Sequence, residues 1–137
     1  MFDFGAFAGS ALAFLIAFGA ACLFTLVFKI LFQIVTPYRD GELIRGGNVA
    51  AALVLGAALI GYVLPLFSAL AHTTNLLEFA AWATLAGVIQ IVTFTIVRTL
   101  VIRDMGARIE RGEMAPAVYL ASISVAVGLL NAASMTT

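Results

Sequence analysis

The sequence predicts an all-α integral membrane protein, four transmembrane helices built as two parallel two-helix repeats. Three observations carry that prediction. The chain of 137 residues is 64% hydrophobic and only 10% charged, whereas soluble domains carry about 25% charged residues. Its apolar residues collect in four runs, each long enough for the roughly 20-residue helix that crosses a hydrocarbon core of about 30 Å. The second half also repeats the layout of the first at a constant offset of 65 residues, Gly41 to Gly106 and Gly47 to Gly112.

The first run extends from about Phe7 to Val35 and contains Lys29 and Gln33. Asp3 is the only charge before Lys29, and the run exceeds the 7–15 residues of a signal-peptide core, so it is expected to be a retained span. The second run, about Val49 to Leu70, has no charge. Asn48 is placed to cap its helix. Pro65 lies in its interior and is expected to kink it near Gly61. The third run, about Leu76 to Ile102, holds Glu78 near one end and Arg98 near the other. Asn75 with Glu78 three residues on has the form of a capping box. The fourth run, about Ala115 to Ala133, is uncharged, with Pro116 in its first turn, where a missing N–H costs little. None of the runs alternates over about ten residues as barrel strands do.

All seven basic residues fall on one side of this arrangement. Lys29, Arg39 and Arg45 flank the loop between spans one and two; Arg98, Arg103, Arg108 and Arg111 flank the loop between spans three and four. Under the positive-inside rule both basic loops face the cytoplasm and both termini face outward. Lys29 and Arg98 sit near span ends, where they can snorkel to headgroups; a buried role in catalysis or transport is the alternative. The segment Asp104–Glu113 mixes both signs and reads as a short amphipathic piece lying on anionic headgroups, or as a docking point for a cytoplasmic partner.

Two spans return the chain to the same side, so residues 1–70 and 71–137 form two units of one membrane domain, related by a pseudo-two-fold along the membrane normal. Phe14 falls on Phe79, Ala50 on Ala115, Leu55 on Leu120 and Leu64 on Leu129, with Thr25 opposite Gln90 and Gln33 opposite Arg98.

Small residues recur at helical spacing: Gly9, Ala13 and Ala17 in span one, Gly56 and Gly61 in span two, Gly87 in span three and Gly128 in span four. Such faces let helix backbones approach closely in lipid, where hydrophobicity provides no drive to associate. They are the candidate packing residues, within one chain or between copies. Phe24, Phe28 and Phe32 form a stripe for lipid or a neighbouring helix, and Tyr38 and Trp82 suit opposite interfacial belts. Lone Cys22 is expected to pack as a small hydrophobe.

Lys29, Gln90, Thr93 and Asn131 are the candidate polar track. Interhelical hydrogen bonds account for such groups, at about 0.6 kcal/mol each. A path for an ion or small solute is the functional alternative, although no carboxylate lies at mid-membrane, where a coupled transporter would place one. Enzyme motifs are missing. His72 is the only histidine, so one chain cannot build a multi-histidine metal site, and neither G-x-S-x-G nor a phosphate-binding loop occurs. No catalytic residue, metal or cofactor is expected, and no basic patch with interleaved aromatics points to nucleic acid. The expected contacts are the lipid bilayer and other membrane subunits or further copies of the chain.

The string Gly46-Gly47-Asn48-Val49-Ala50-Ala51-Ala52, followed by Gly61-Tyr62-Val63-Leu64-Pro65, resembles the YjfL-like bacterial inner-membrane proteins, labelled domain of unknown function 350. Arg111-Gly112-Glu113-Met114-Ala115-Pro116-Ala117 and Val127-Gly128-Leu129-Leu130-Asn131-Ala132-Ala133 extend the likeness to the second half. The resemblance implies two tandem two-span units in a bacterial inner membrane and assigns no reaction. Glu113 and Pro116 stand where the first unit has Asn48 and Ala51. The function expected is therefore a non-catalytic polytopic protein that self-associates or serves a membrane complex, with an oligomeric channel or transporter-like subunit as the alternative.

Overall fold

A computed structural model describes residues 1–102 and 104–135; Arg103, one of the predicted basic-loop residues, and Thr136 and Thr137 at the predicted outer terminus lie outside the described residues. Among the described residues six α-helices follow in order: α1 (Phe4–Val35), α2 (Asp40–Arg45), α3 (Val49–His72), α4 (Leu76–Ile96), α5 (Met105–Glu110) and α6 (Met114–Ser134), with a π-helical turn at Val97–Val101 extending α4. Four of them, α1, α3, α4 with its π turn, and α6, are long and apolar enough to cross a membrane. Their limits fall within a few residues of the four predicted runs.

The termini follow from local chemistry. Asn48 Oδ1 accepts the Ala51 N–H at 3.0 Å, and Asn75 Oδ1 accepts the Glu78 N–H at 2.7 Å, so each satisfies an amide that a helix start leaves unpaired. α2 and α5 end alike. Gly47 and Gly112 both adopt left-handed backbone, with φ of 90° and 78°. The following amide then closes back onto the helix: Asn48 N–H to the Leu43 carbonyl and Glu113 N–H to the Arg108 carbonyl. This is the glycine-dependent helix stop in which a positive φ carries the chain away.

α3 is the hub. Twelve of its 24 residues are buried, against two of the 32 in α1. α6 lies along one flank of α3, α4 along another, and the C-terminal half of α1 along a third. Phe28 stacks on Tyr62 with ring centroids 4.3 Å apart, Phe32 meets Phe94 at 4.4 Å, and Phe24 meets Phe79 edge-on at 5.7 Å. The phenylalanine stripe therefore faces neighbouring helices rather than lipid. α3 runs on through Pro65, which is fully buried.

Three expectations are corrected. Tyr38 is buried, at 6% exposure, instead of sitting in an interfacial belt, because the chain turns back under the bundle after Pro37. Cys22 is exposed, because its side of α1 borders an open groove instead of a packed neighbour. α5 has the predicted amphipathic pattern, yet its apolar residues Met105 and Ile109 are buried in the protein rather than laid on headgroups. Gly106 makes this docking feasible, since a methyl there would come within 2.7 Å of the Pro37 ring.

Candidate functional site

Mid-bundle, polar side chains tie helices together. Tyr62 donates to the Ala83 carbonyl at 2.9 Å, Ser68 to that of Ala132 at 2.9 Å, Gln90 Nε2 to that of Ser124 at 3.3 Å, and Asn131 Nδ2 to that of Ala86 at 3.3 Å. Other hydroxyls turn back on their own helices: Thr25 to Ala21, Thr95 to Ile91 and Ser122 to Val118. Thr93 is half-buried on α4. Gln90 and Asn131 thus act as interhelical ties. Gln90 Oε1 is buried without a partner, a costly state for an amide oxygen in a low-dielectric interior.

Lys29 is elsewhere. Its Nζ reaches Gln33 Oε1 at 3.4 Å, and its side chain lines a lateral groove of about 520 Å³ between α1 and α3. The four polar-track residues therefore occupy separate places: Gln90 and Asn131 in the α3–α4–α6 core, Thr93 on α4 and Lys29 at the α1 flank.

A second polar cluster forms where α1 ends. Asp40 is 2% exposed, and its Oδ2 accepts the Thr36 hydroxyl at 2.7 Å. Its Oδ1, the Tyr38 hydroxyl and Arg98 Nε are buried and unpartnered. Asp40 and Arg98 both act electrostatically on the Tyr38 hydroxyl. Burial, reinforced by Asp40, pushes the Tyr38 hydroxyl well above its ordinary value, so it stays neutral. Burial also pushes the Asp40 carboxyl up, against the Thr36 bond and the field of Lys29. Arg98 sits in the π turn, and such turns often mark functional positions. Its Nε is buried, so part of the guanidinium lies inside the protein and not at headgroups. The sequence carried little sign of this cluster: Thr36-Pro37 marks a helix end, but nothing in the string places Asp40 under it.

The small-residue positions divide in two. Gly61, Gly87 and Gly128 are used within the chain: a methyl on Gly61 would lie 2.6 Å from Gln90 Nε2, and one on Gly87 would lie 3.3 Å from the Tyr62 ring. Gly9 and Gly56 have nothing within 4 Å of that position. Gly9 and Ala13 are exposed, Ala17 half-buried, and Gly56 lines a second groove, of about 780 Å³, between α3 and α6. Among the described residues no three His, Cys, Asp or Glu side chains gather as metal ligands would.

Four apolar spanning helices around a polar-tied core define a polytopic α-helical membrane protein. The chain belongs to the family described as Domain of Unknown Function (DUF350), whose model matches residues 6–135. It is 32% identical over 127 residues to the UPF0719 inner membrane protein YjfL of Escherichia coli (strain K12), covering 93% of this chain and 96% of that one. It is 25% identical over 119 residues to the UPF0719 transmembrane protein YshE of Bacillus subtilis (strain 168), covering 86% and 89%. No solved structure matches the chain.

Proposed function

We propose that this chain is a non-catalytic subunit of a bacterial inner membrane that self-associates through helix faces its own fold leaves empty. The observation that supports this reading is the division among the small residues. The bundle uses Gly61, Gly87 and Gly128 for its own close contacts, while a methyl at Gly9 on α1 or at Gly56 beside the α3–α6 groove would meet nothing in the chain, and Ala13 is exposed on the Gly9 face. In lipid, close backbone approach is a main source of helix association. α1 is also longer than its partners at 32 residues, or about 48 Å at 1.5 Å per residue, and its N-terminal half leaves Phe7, Phe14 and Phe18 exposed.

The basic loops face the cytoplasm in this reading, and both termini the periplasm. The outward face of α5, with Arg108 and Arg111, is the surface a cytoplasmic partner would meet. The two halves are read as one duplicated unit, which the recurrence of α2 at α5 and of the Gly47 turn at Gly112 supports.

Cysteine scanning tests the proposal. In a Cys22→Ala background, single cysteines at Gly9, Ala13 and Ala17 should give oxidised dimers in native membranes, and cysteines at lipid-facing Leu12 and Leu15 should give few. A uniform absence of dimers along α1 would remove the reading.

One observation favours a channel or transporter-like subunit instead: the unpartnered Gln90 Oε1 at mid-span. That reading requires solute or ion flux in liposomes that changes with Gln90→Leu.

A further inference from the structure

The groove between α1 and α3 is built like a lipid. On α1 it runs from Lys29 through Leu26, Thr25, Cys22 and Ala21 to Phe18, and on α3 from Leu59 to Leu70. The helices are antiparallel, so Lys29 and Leu59 mark one end, Phe18 and Leu70 the other. Each wall spans twelve residues, eleven steps of 1.5 Å or about 16 Å, close to half of a hydrocarbon core of about 30 Å. Its volume of about 520 Å³ lies in the range of small-ligand sites, about 300–1,000 Å³. Apart from Thr25 and Lys29 the lining is apolar.

The charged end is the specific part. Lys29 lies six residues before the end of α1, on the side of the membrane that carries α2 and α5. Its ammonium makes one long hydrogen bond, to Gln33. By contrast, Arg39 pairs with Glu42, and Arg108 and Arg111 pair with Glu113. The acid that acts on it electrostatically is Asp40, which takes its own hydrogen bond from the Thr36 hydroxyl. Basic side chains in a cleft between spanning helices bind anionic headgroups.

We infer that this groove is a binding site for one anionic phospholipid of the leaflet bounded by α2 and α5, its acyl chain lying along Phe18–Leu26 and its phosphate on Lys29. A single lysine contact corresponds to about fivefold preference over a zwitterionic lipid.

Bromolipid quenching reads this directly, because the chain has one tryptophan. Native Trp82 on α4 reports bulk lipid; Phe67→Trp in a Trp82→Phe background reports the groove rim, where Phe67 is 72% exposed. Proteoliposomes of phosphatidylcholine with a minority of brominated phosphatidylglycerol should quench the groove tryptophan about fivefold beyond the bulk fraction. Trp82 should follow bulk composition. Lys29→Gln should abolish the preference and Lys29→Arg should keep it. Equal quenching by brominated phosphatidylglycerol and brominated phosphatidylcholine at the groove, with Lys29 intact, would overturn the inference. So would loss of the preference on adding inorganic phosphate, which would assign the anion to the aqueous phase.

Discussion

Gly61 on α3 and Gly128 on α6 meet backbone to backbone: a methyl group on Gly128 would lie 2.7 Å from the Gly61 Cα and would collide with the Gly61 carbonyl. Pro65 contributes to this contact from four residues away. Having no N–H, it leaves the Gly61 carbonyl without its helical donor, and that oxygen lies against Gly128, in a setting where weak C–H donors recur between helices.

Gly128→Ala should therefore destabilise the bundle by about 3 kcal/mol, the upper end for overpacking, because backbone cannot yield as a side chain does. Gly56→Ala, with open space at the same atom, should change stability by less than about 0.5 kcal/mol. Unfolding in mixed micelles followed by circular dichroism measures both. Equal effects would refute the close crossing.

Asn48 does two jobs. Its Oδ1 caps α3, and its Nδ2 donates to the Ile109 carbonyl at 2.8 Å, tying the first loop to the end of α5. Asn48→Ala should cost about 2 kcal/mol, the cap and the tie together. Asn48→Asp keeps the acceptor and loses the donor, so it should fall between. Glu113, its counterpart 65 residues on, makes no side-chain cap; Glu113→Ala should leave the start of α6 intact. Hydrogen exchange at the two helix starts separates these outcomes.

Asp40 and Glu113 give opposite pH slopes. The folded protein raises Asp40 above its ordinary 3.8, so it holds that proton more tightly than the unfolded chain. Its contribution is full below that value and is lost as pH rises through the folded one. Asp40→Asn should flatten this fall and leave the protein at least as stable at pH 7. Glu113 is held below its ordinary 4.5 by hydrogen bonds from Arg111 and Arg108. Its contribution is present above 4.5 and is lost as pH falls through the folded value, and Glu113→Gln should remove that loss. Unfolding midpoints from pH 3.5 to 7.5 would show both signs; a wild-type profile unchanged by Asp40→Asn contradicts the buried carboxyl.

Topology follows from charge. A cysteine replacing Thr74 should react with an impermeant maleimide from the periplasm, and one replacing Gly112 only after the membrane is opened. Labelling of both from one side would end the four-span arrangement.

The spans were legible because apolar length is a one-dimensional property, and Asn48, Asn75, Gly47 and Gly112 punctuate them by local chemistry alone. Which of the small residues pack was not legible. Gly9 and Gly61 look alike in the string, and only the crossing of α3 with α6 distinguishes them. Tyr38, Asp40 and Arg98 converge from residues up to 60 apart, and their joining depends on how α2 tucks beneath α1. Lys29 and Gln90 share a membrane but not a site, because α1 meets α3 on a different flank from α4 and α6.

The account rests most on α1 as a contact between copies. Counting subunits by photobleaching of singly labelled protein in native-lipid nanodiscs tests it most directly. Wild-type protein should show two or more bleaching steps in most discs, and Gly9→Leu with Ala13→Leu should shift the population to one step while the helical spectrum stays unchanged. Wild-type protein that bleaches in one step at every lipid-to-protein ratio would contradict it.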